Sequence, residues 1–251
     1  MIKFVYKKIV RGNVRRIIGK IIRYVKSERF DHSQALEFTK LKPLFDSCDI
    51  KRIIDIGAND GKSYSNSYPL LKRGWEGLLV EANPKHISTI KKNLTGSKFV
   101  VEHCAITPDE TDFVYLILDS VTRLDLRASI RNDGGNWVKE NLSDHKVRVT
   151  THTIKTLLDR HPDYVNSDVL SIDIEGLDSD VLISMPTDFK PAIIIAEIDF
   201  EDIEKAHRRL ENMINRGYVL VARIGCNEIF LNKDSYLIKK QEVKTFIQNN
   251  F

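Results

Sequence analysis

The chain has 251 residues, of which 42% are hydrophobic and 29% charged, with a formal net charge of +4. These values suit one large soluble α/β domain and exclude a low-complexity or fibrous chain. Cys48, Cys104 and Cys226 are scattered without C-x-x-C spacing, which excludes a disulfide framework or structural zinc and makes a reducing, cytoplasmic setting the expectation.

The charge is uneven. Residues 1–30 carry ten Lys/Arg against the single acid Glu28, a net +9 that leaves −5 for the remainder. Ile2, Val5, Ile9, Val14, Ile17, Ile18, Ile21, Ile22 and Val25 recur there at roughly helical spacing, with basic residues between them. No apolar run approaches the ~18 residues of a membrane span, and no secretory cleavage pattern is present. Residues 1–32 therefore read as a basic amphipathic helical segment, and 33–251 as a single domain. Such a helix can contact an anionic membrane surface, which would place the protein at the inner face of the membrane. Alternatively it packs on the body or on a second subunit. The body itself carries no nucleic-acid footprint.

A helix is expected over 33–47, then a strand at Arg52–Ile56, a glycine turn, and a helix at Ser63–Lys72. A second strand at Gly77–Glu81 leads through Pro84 into a helix ending near Leu94, and a third strand covers Lys98–Cys104. The segment `TDFVYLILD` reads as an extra strand. The polar, glycine-bearing stretch Asp119–His145 follows, and a segment of this kind is either a functional lid or a disordered loop. We delimit the insertion at about 119–147; its Arg123, Arg127, Arg131 and Trp137 could contact an acidic or glycan acceptor. `KVRVTTHT` is a strand and Ile154–Arg160 a helix. `SDVLSIDIEG` is the fourth core strand with its turn, followed by a helix at Asp178–Met185. `PAIIIAEIDF` is the fifth strand, Glu201–Arg216 a helix, Tyr218–Ile224 with Glu228–Leu231 a closing hairpin, and Val243–Gln248 a final helix. Helices alternating with short apolar strands specify a doubly wound, mostly parallel sheet.

Two constellations carry chemistry. The first is `IIDIGANDG` followed 20 residues after Gly61 by Glu81. Gly57 and Gly61 let backbone approach a nucleoside, and a carboxylate ending the second strand can hold both ribose hydroxyls. A dinucleotide site needs G-x-G-x-x-G, but Asn59 occupies the place of the second glycine. Asp55 and Asp60 would add negative charge where a pyrophosphate must lie. Such a turn suits a zwitterionic amino-acid tail or a sulfonium cation, and it looks like the first motif of the S-adenosylmethionine-dependent methyltransferases. The second constellation is `SIDIEG`. Strand periodicity would point Asp173 and Glu175 to one side at the ligand-binding edge, with Glu197 and Asp199 beside them. One carboxyl of such a set gains a raised pKa fit for proton abstraction, or the acids could share Mg²⁺, the less favoured use. His152 is an alternative base; His103 and Cys104 are expected to border the adenine pocket.

With `DIGANDG`, `VEANP`, `SIDIEGLDSDVL`, Glu197 and `RGYVLVARIGCNEIF` in this order, residues 50–232 resemble the FkbM-type methyltransferases. The resemblance implies a seven-stranded, Rossmann-like class I methyltransferase fold with strand order 3-2-1-4-5-7-6. It also implies methyl transfer from S-adenosylmethionine, usually to a hydroxyl oxygen of a sugar, glycan or similar small molecule. Asp55, Gly57, Asn59 and Gly61 match the family's first motif, Glu81 its ribose-binding acid, and Asn83 and Pro84 the turn that follows. Asp173, Glu175 and Gly176 match its D-x-E-G element. The candidate cofactor residues are thus Asp55, Gly57, Asn59, Gly61, Glu81, Asn83, Cys104 and Ala105, and the candidate catalytic residues Asp173 and Glu175. Two alternatives stand beside this reading: nitrogen methylation on the same fold, and a non-catalytic domain that docks at membranes.

Overall fold

The computed structural model describes residues 31–119, 142–198 and 202–250. The basic segment, the lid residues Arg123, Arg127, Arg131, Gly134, Gly135 and Trp137, and Asp199 lie outside them.

In chain order the elements are α1 (Glu37–Lys40), α2 (Lys42–Asp46), β1 (Arg52–Ile56), α3 (Tyr68–Leu71), β2 (Glu76–Glu81), α4 (Pro84–Asn93), β3 (Lys98–His103) and β4 (Ala105–Ile106). They continue with β5 (Phe113–Asp119), β6 (Leu142–His152), α5 (Ile154–Arg160), β7 (Val169–Ile172), α6 (Asp178–Ser184) and β8 (Ile193–Glu197). The last are α7 (Ile203–Asn215), β9 (Tyr218–Ile224), β10 (Asn227–Asn232) and α8 (Gln241–Asn250).

Seven strands form one sheet in the order β3-β2-β1-β7-β8-β10-β9. With β7 and β8 as core strands four and five, this is the expected order 3-2-1-4-5-7-6. Pairing is parallel from β3 to β8, and β10 is antiparallel to both β8 and β9. Side-chain alternation sends successive residues of each strand to opposite faces. Ile53, Leu79, Val169, Ile193 and Ile195 enter one core with Phe38, Leu44, Leu70, Ile90 and Val243. Ile54, Ile56, Leu78, Val80, Leu170 and Ile194 enter the other with Leu157, Val181, Leu182 and Met213. Because both faces are covered, the central strands read as near-continuous apolar runs. A smaller sheet, β4-β6-β5, stands apart, with β5 and β6 paired antiparallel.

Some expected boundaries are wrong for identifiable reasons. The single helix over 33–47 is two short helices, because Leu36 has φ 64° and Pro43 begins a new turn in α2. The helix expected at Ser63–Lys72 is one turn, α3. The preceding residues are held instead by Asp60, whose carboxylate accepts from the amides of Lys62 (2.8 Å) and Ser63 (2.7 Å). That turn chemistry competes with helix. The strand expected from `KVRVTTHT` begins earlier, since β6 starts at Leu142, and β5 reaches Asp119.

Candidate active site

A pocket of ≈ 580 Å³, its open mouth included, lies at the carboxyl edge of the parallel strands. Its lining runs along the sheet in strand order. β2 and the residue after it give Val80, Glu81 and Ala82; β1 and its turn give Ile56, Gly57 and Asn59; the loop after β7 gives Asp173, Ile174 and Glu175. Cys104, Ala105, Ile106 and Leu116 close the apolar side. A pocket at this edge of an open α/β sheet follows from topology, since the strand order reverses between β1 and β7.

The glycine turn is shaped by a neighbour as much as by space for a ligand. A Cβ on Gly57 would lie 1.8 Å from the Asp173 carbonyl oxygen, and its φ of +87° is one that side chains rarely adopt. The amides of Gly57 and Ala58 both donate to the Val80 carbonyl, at 2.9 and 3.0 Å. Asn59 has φ 49°, a left-handed conformation that asparagine tolerates better than most residues. Its amide donates to Glu81 Oε2 at 2.7 Å. Its side-chain Oδ1 is buried and has no hydrogen-bond partner among the described residues. A buried acceptor left unpaired costs free energy until a donor reaches it.

Glu81 is 8% exposed, and its other oxygen accepts from the Asn83 amide at 2.7 Å. Burial pushes its carboxyl up to about 7, against the pull of those two amides, with Asp55 adding a smaller upward push. The group is thus poised between its charged and neutral forms near neutral pH.

Asp173 begins just beyond β7. Its amide donates to the Ile56 carbonyl at 3.0 Å. Asp173 is an exposed residue in the lining of the pocket, yet surrounding protein atoms crowd its carboxyl. That crowding holds its carboxyl well above the usual carboxylate range, with Glu197, Asp178 and Asp55 adding repulsion and Glu197 sharing a hydrogen bond with it. Strand periodicity does not extend to Glu175, because β7 ends at Ile172 and Glu175 adopts φ 52°. Both acids still line the pocket, through a turn and not through alternation. Asp178 holds that turn, accepting from the amides of Ile174 (3.0 Å) and Gly176 (3.3 Å).

Five of the eight expected cofactor residues line the pocket: Gly57, Asn59, Glu81, Cys104 and Ala105. Three stand behind it. Asp55 points into the helix-covered face, bonded to Ser67 Oγ and Ser171, and burial raises its pKa. Gly61 packs against Ile90, where a Cβ would meet side-chain carbons at 3.3 Å. Asn83 caps α4 through Oδ1 to the Lys85 amide at 3.1 Å. Asp60 turns inward to its own loop, so the charge expected opposite a phosphate is not there. His103, whose Nε2 lies 3.1 Å from the Ala82 carbonyl oxygen, and His152 are outside the lining. Cys104 is part of it, and burial pushes its thiol up to about 12, so it remains protonated. Among the described residues no cluster of three or more His, Cys, Asp or Glu side chains is arranged to hold a metal.

Sequence reasoning missed Asp178, Lys205 and Arg209. The signal for Asp178 was its place at the start of α6, where an acid is favoured. Lys205 and Arg209 were legible only as an i, i+4 pair on an amphipathic helix, a pattern usually read as solvent-facing.

A family model described as "Methyltransferase FkbM domain" matches residues 55–220. No curated protein matches the chain. Among solved structures, the chain is similar to a protein of Pyrococcus horikoshii provisionally described as an RNA methyltransferase. That match has 13% identity and a TM-score of 0.43, covering 80% of this chain and 83% of the other. It is also similar to a TehB-like SAM-dependent methyltransferase from Corynebacterium glutamicum, at 13% identity and a TM-score of 0.36, covering 77% and 87%.

Proposed function

The chain belongs to the FkbM methyltransferase family, and from that premise we propose that it transfers a methyl group from S-adenosylmethionine to a hydroxyl oxygen of a sugar, glycan or similar hydroxylated small molecule. Methyl transfer from S-adenosylmethionine is what the family does; the oxygen acceptor is our reading. The observation that carries it is one pocket with two chemically distinct ends along the sheet edge.

The Gly57–Asn59–Glu81 end fits the cofactor. Asn59 Oδ1 is a buried acceptor suited to an ammonium, and Glu81 can accept from ribose hydroxyls while Gly57 keeps the backbone low. When bound, the cofactor supplies an electrophilic methyl carbon. The Asp173 end answers a different need. A hydroxyl attacks well only as its proton leaves, so it gains from a base within reach, whereas a neutral amine already has its lone pair. Asp173 lines the pocket and, in its ionised form, takes that proton; its raised pKa makes it a stronger base than an ordinary carboxylate. Glu175 shares the turn and orients the acceptor. The apolar wall of Ile56, Ile106, Leu116 and Ile174 keeps water from competing.

The test is a transfer assay with methyl-labelled cofactor against pooled glycans and, separately, a panel of amines. We expect label in base-stable ether linkages, and a fall of roughly 10²–10⁴-fold in Asp173→Asn with cofactor affinity little changed. Label appearing only on nitrogen, or full activity in Asp173→Asn, would sink the oxygen reading.

A further inference from the structure

Helix α7 carries two buried cations one turn apart. Lys205 is 5% exposed and Arg209 is 0% exposed, and at i and i+4 they share a face. Lys205 Nζ donates to the Gly176 carbonyl at 2.5 Å and pairs with Asp180 at 3.1 Å. Arg209 donates to the Glu197 carbonyl at 2.5 Å and to Glu228 Oε2 at 2.6 Å. Arg223 holds the other Glu228 oxygen at 2.8 Å. The two main-chain targets are telling: Gly176 closes the loop after β7, and Glu197 is the last residue of β8. One helix therefore grips the chain where it leaves two neighbouring strands. Packing alone does not require this, because cations are costly to desolvate and apolar side chains often hold such an interface at least as well.

The gripped segments carry Asp173 and Glu197, whose side chains are hydrogen-bonded to each other. Asp55 on β1 and Asp178 on α6 also face Asp173, and Cys226, in the turn between β9 and β10, faces both acids. Ionised carboxyls in such surroundings repel, so backbone that holds the two strand ends in place favours the close pair.

We propose that Lys205 and Arg209 are positioning residues that fix the ends of β7 and β8 so that Asp173 and Glu197 meet as one carboxyl pair at the pocket. The inference rests on the oxygen-methylation reading for its chemical role. There, Asp173 in its ionised form takes the acceptor's hydroxyl proton, with Glu197 beside it as its hydrogen-bond partner. The oxygen gains the methyl group, the electron pair of the broken carbon–sulfur bond stays on sulfur, and the proton is later released to water.

The experiment is a pH titration of ¹³C-labelled Asp and Glu carboxyls in the full chain by NMR, with the pair assigned through Asp173→Asn and Glu197→Gln. In wild type the pair titrates above the ordinary carboxylate range, in two coupled steps. In Arg209→Met we expect the upper step to fall by about one pH unit or more, a tenfold change, with Arg209→Lys recovering most of it. The sign discriminates, because losing a positive charge without displacement would move the step upward. Lys205→Met provides the same test through the Gly176 carbonyl if Arg209→Met does not fold. Leu237→Ala, buried in the opposite core, should destabilise the protein and leave the titration in place. An upward or absent shift in both folded clamp variants, an equal shift in Leu237→Ala, or a wild-type pair in the ordinary range would each overturn the proposal. Calorimetry with S-adenosylhomocysteine on the same wild-type sample separates the two readings: failure to bind removes the methyl-transfer reading, while the titration still judges the clamp.

Discussion

Glu81 is where burial and ligand chemistry meet most directly. Its folded-state carboxyl sits near 7, against 4.5 for the free group, because burial disfavours the charge. The folded state therefore binds more protons than the unfolded state between those values, and stability falls as pH rises through that window. Wild type should lose on the order of 3 kcal/mol relative to Glu81→Gln between pH 4.5 and 7, measured as the difference in urea-unfolding free energy. Asp55 and Asp173 act in the same direction, so the difference between the two proteins is the informative quantity. Ligand binding should run the other way. Hydroxyls donating to Glu81 favour its charged form, so S-adenosylhomocysteine should bind roughly tenfold more weakly at pH 6 than at pH 8, and Glu81→Gln should flatten that slope. A second residue-scale expectation concerns Gly57→Ala. With the Asp173 carbonyl oxygen 1.8 Å from the new Cβ and φ at +87°, it should cost roughly 3 kcal/mol and displace the loop that carries Asp173. Unchanged thermal stability in that variant would show that the two loops do not press on each other.

At the scale of elements, α7 is tied to the sheet through ions. Arg209 and Glu228 are 0% and 3% exposed at their side chains, so removing one partner strands a buried charge. Arg209→Met should therefore cost ~3–5 kcal/mol, and the double variant Arg209→Met/Glu228→Gln should recover part of it, giving a positive coupling in a thermal-denaturation cycle. Equal losses in the single and double variants would mean that Arg223, 2.8 Å from Glu228, already satisfies it. Much of this layer was legible in the sequence. β1, β2, β7 and β8 announce themselves as apolar runs, and α4 by its Asn83–Pro84 start. The turn after β1 was legible as a glycine turn but misread in detail. Asp60 has the composition of a ligand-facing acid, and only the folded chain reveals that its nearest donors are its own Lys62 and Ser63 amides. Asp55 stands behind the pocket for a related reason: strand alternation sends it toward Ser67 and Ser171, which hold it, a partnership that sequence distance conceals.

For the whole molecule, the site is a consequence of strand order. Placing β1 between β2 and β7 sets Glu81, Gly57 and Asp173 along one edge in that sequence, although 92 residues separate Glu81 from Asp173 along the chain. Sequence motifs carried this arrangement because each sits at a strand's carboxyl end, where parallel pairing aligns them. They could not carry the whole lining, since Leu116 reaches the pocket from the separate β4-β6-β5 sheet. No helix among the described residues is long and apolar enough to cross a membrane.

The central claim is that this edge binds S-adenosylmethionine, and calorimetric titration of the full chain with S-adenosylhomocysteine tests it most directly. Saturable one-to-one binding in the micromolar range is expected, weakened at least tenfold in Glu81→Ala, with no heat from NAD⁺. Folded protein that takes up NAD⁺, or that binds S-adenosylhomocysteine equally well without the Glu81 carboxylate, would contradict it.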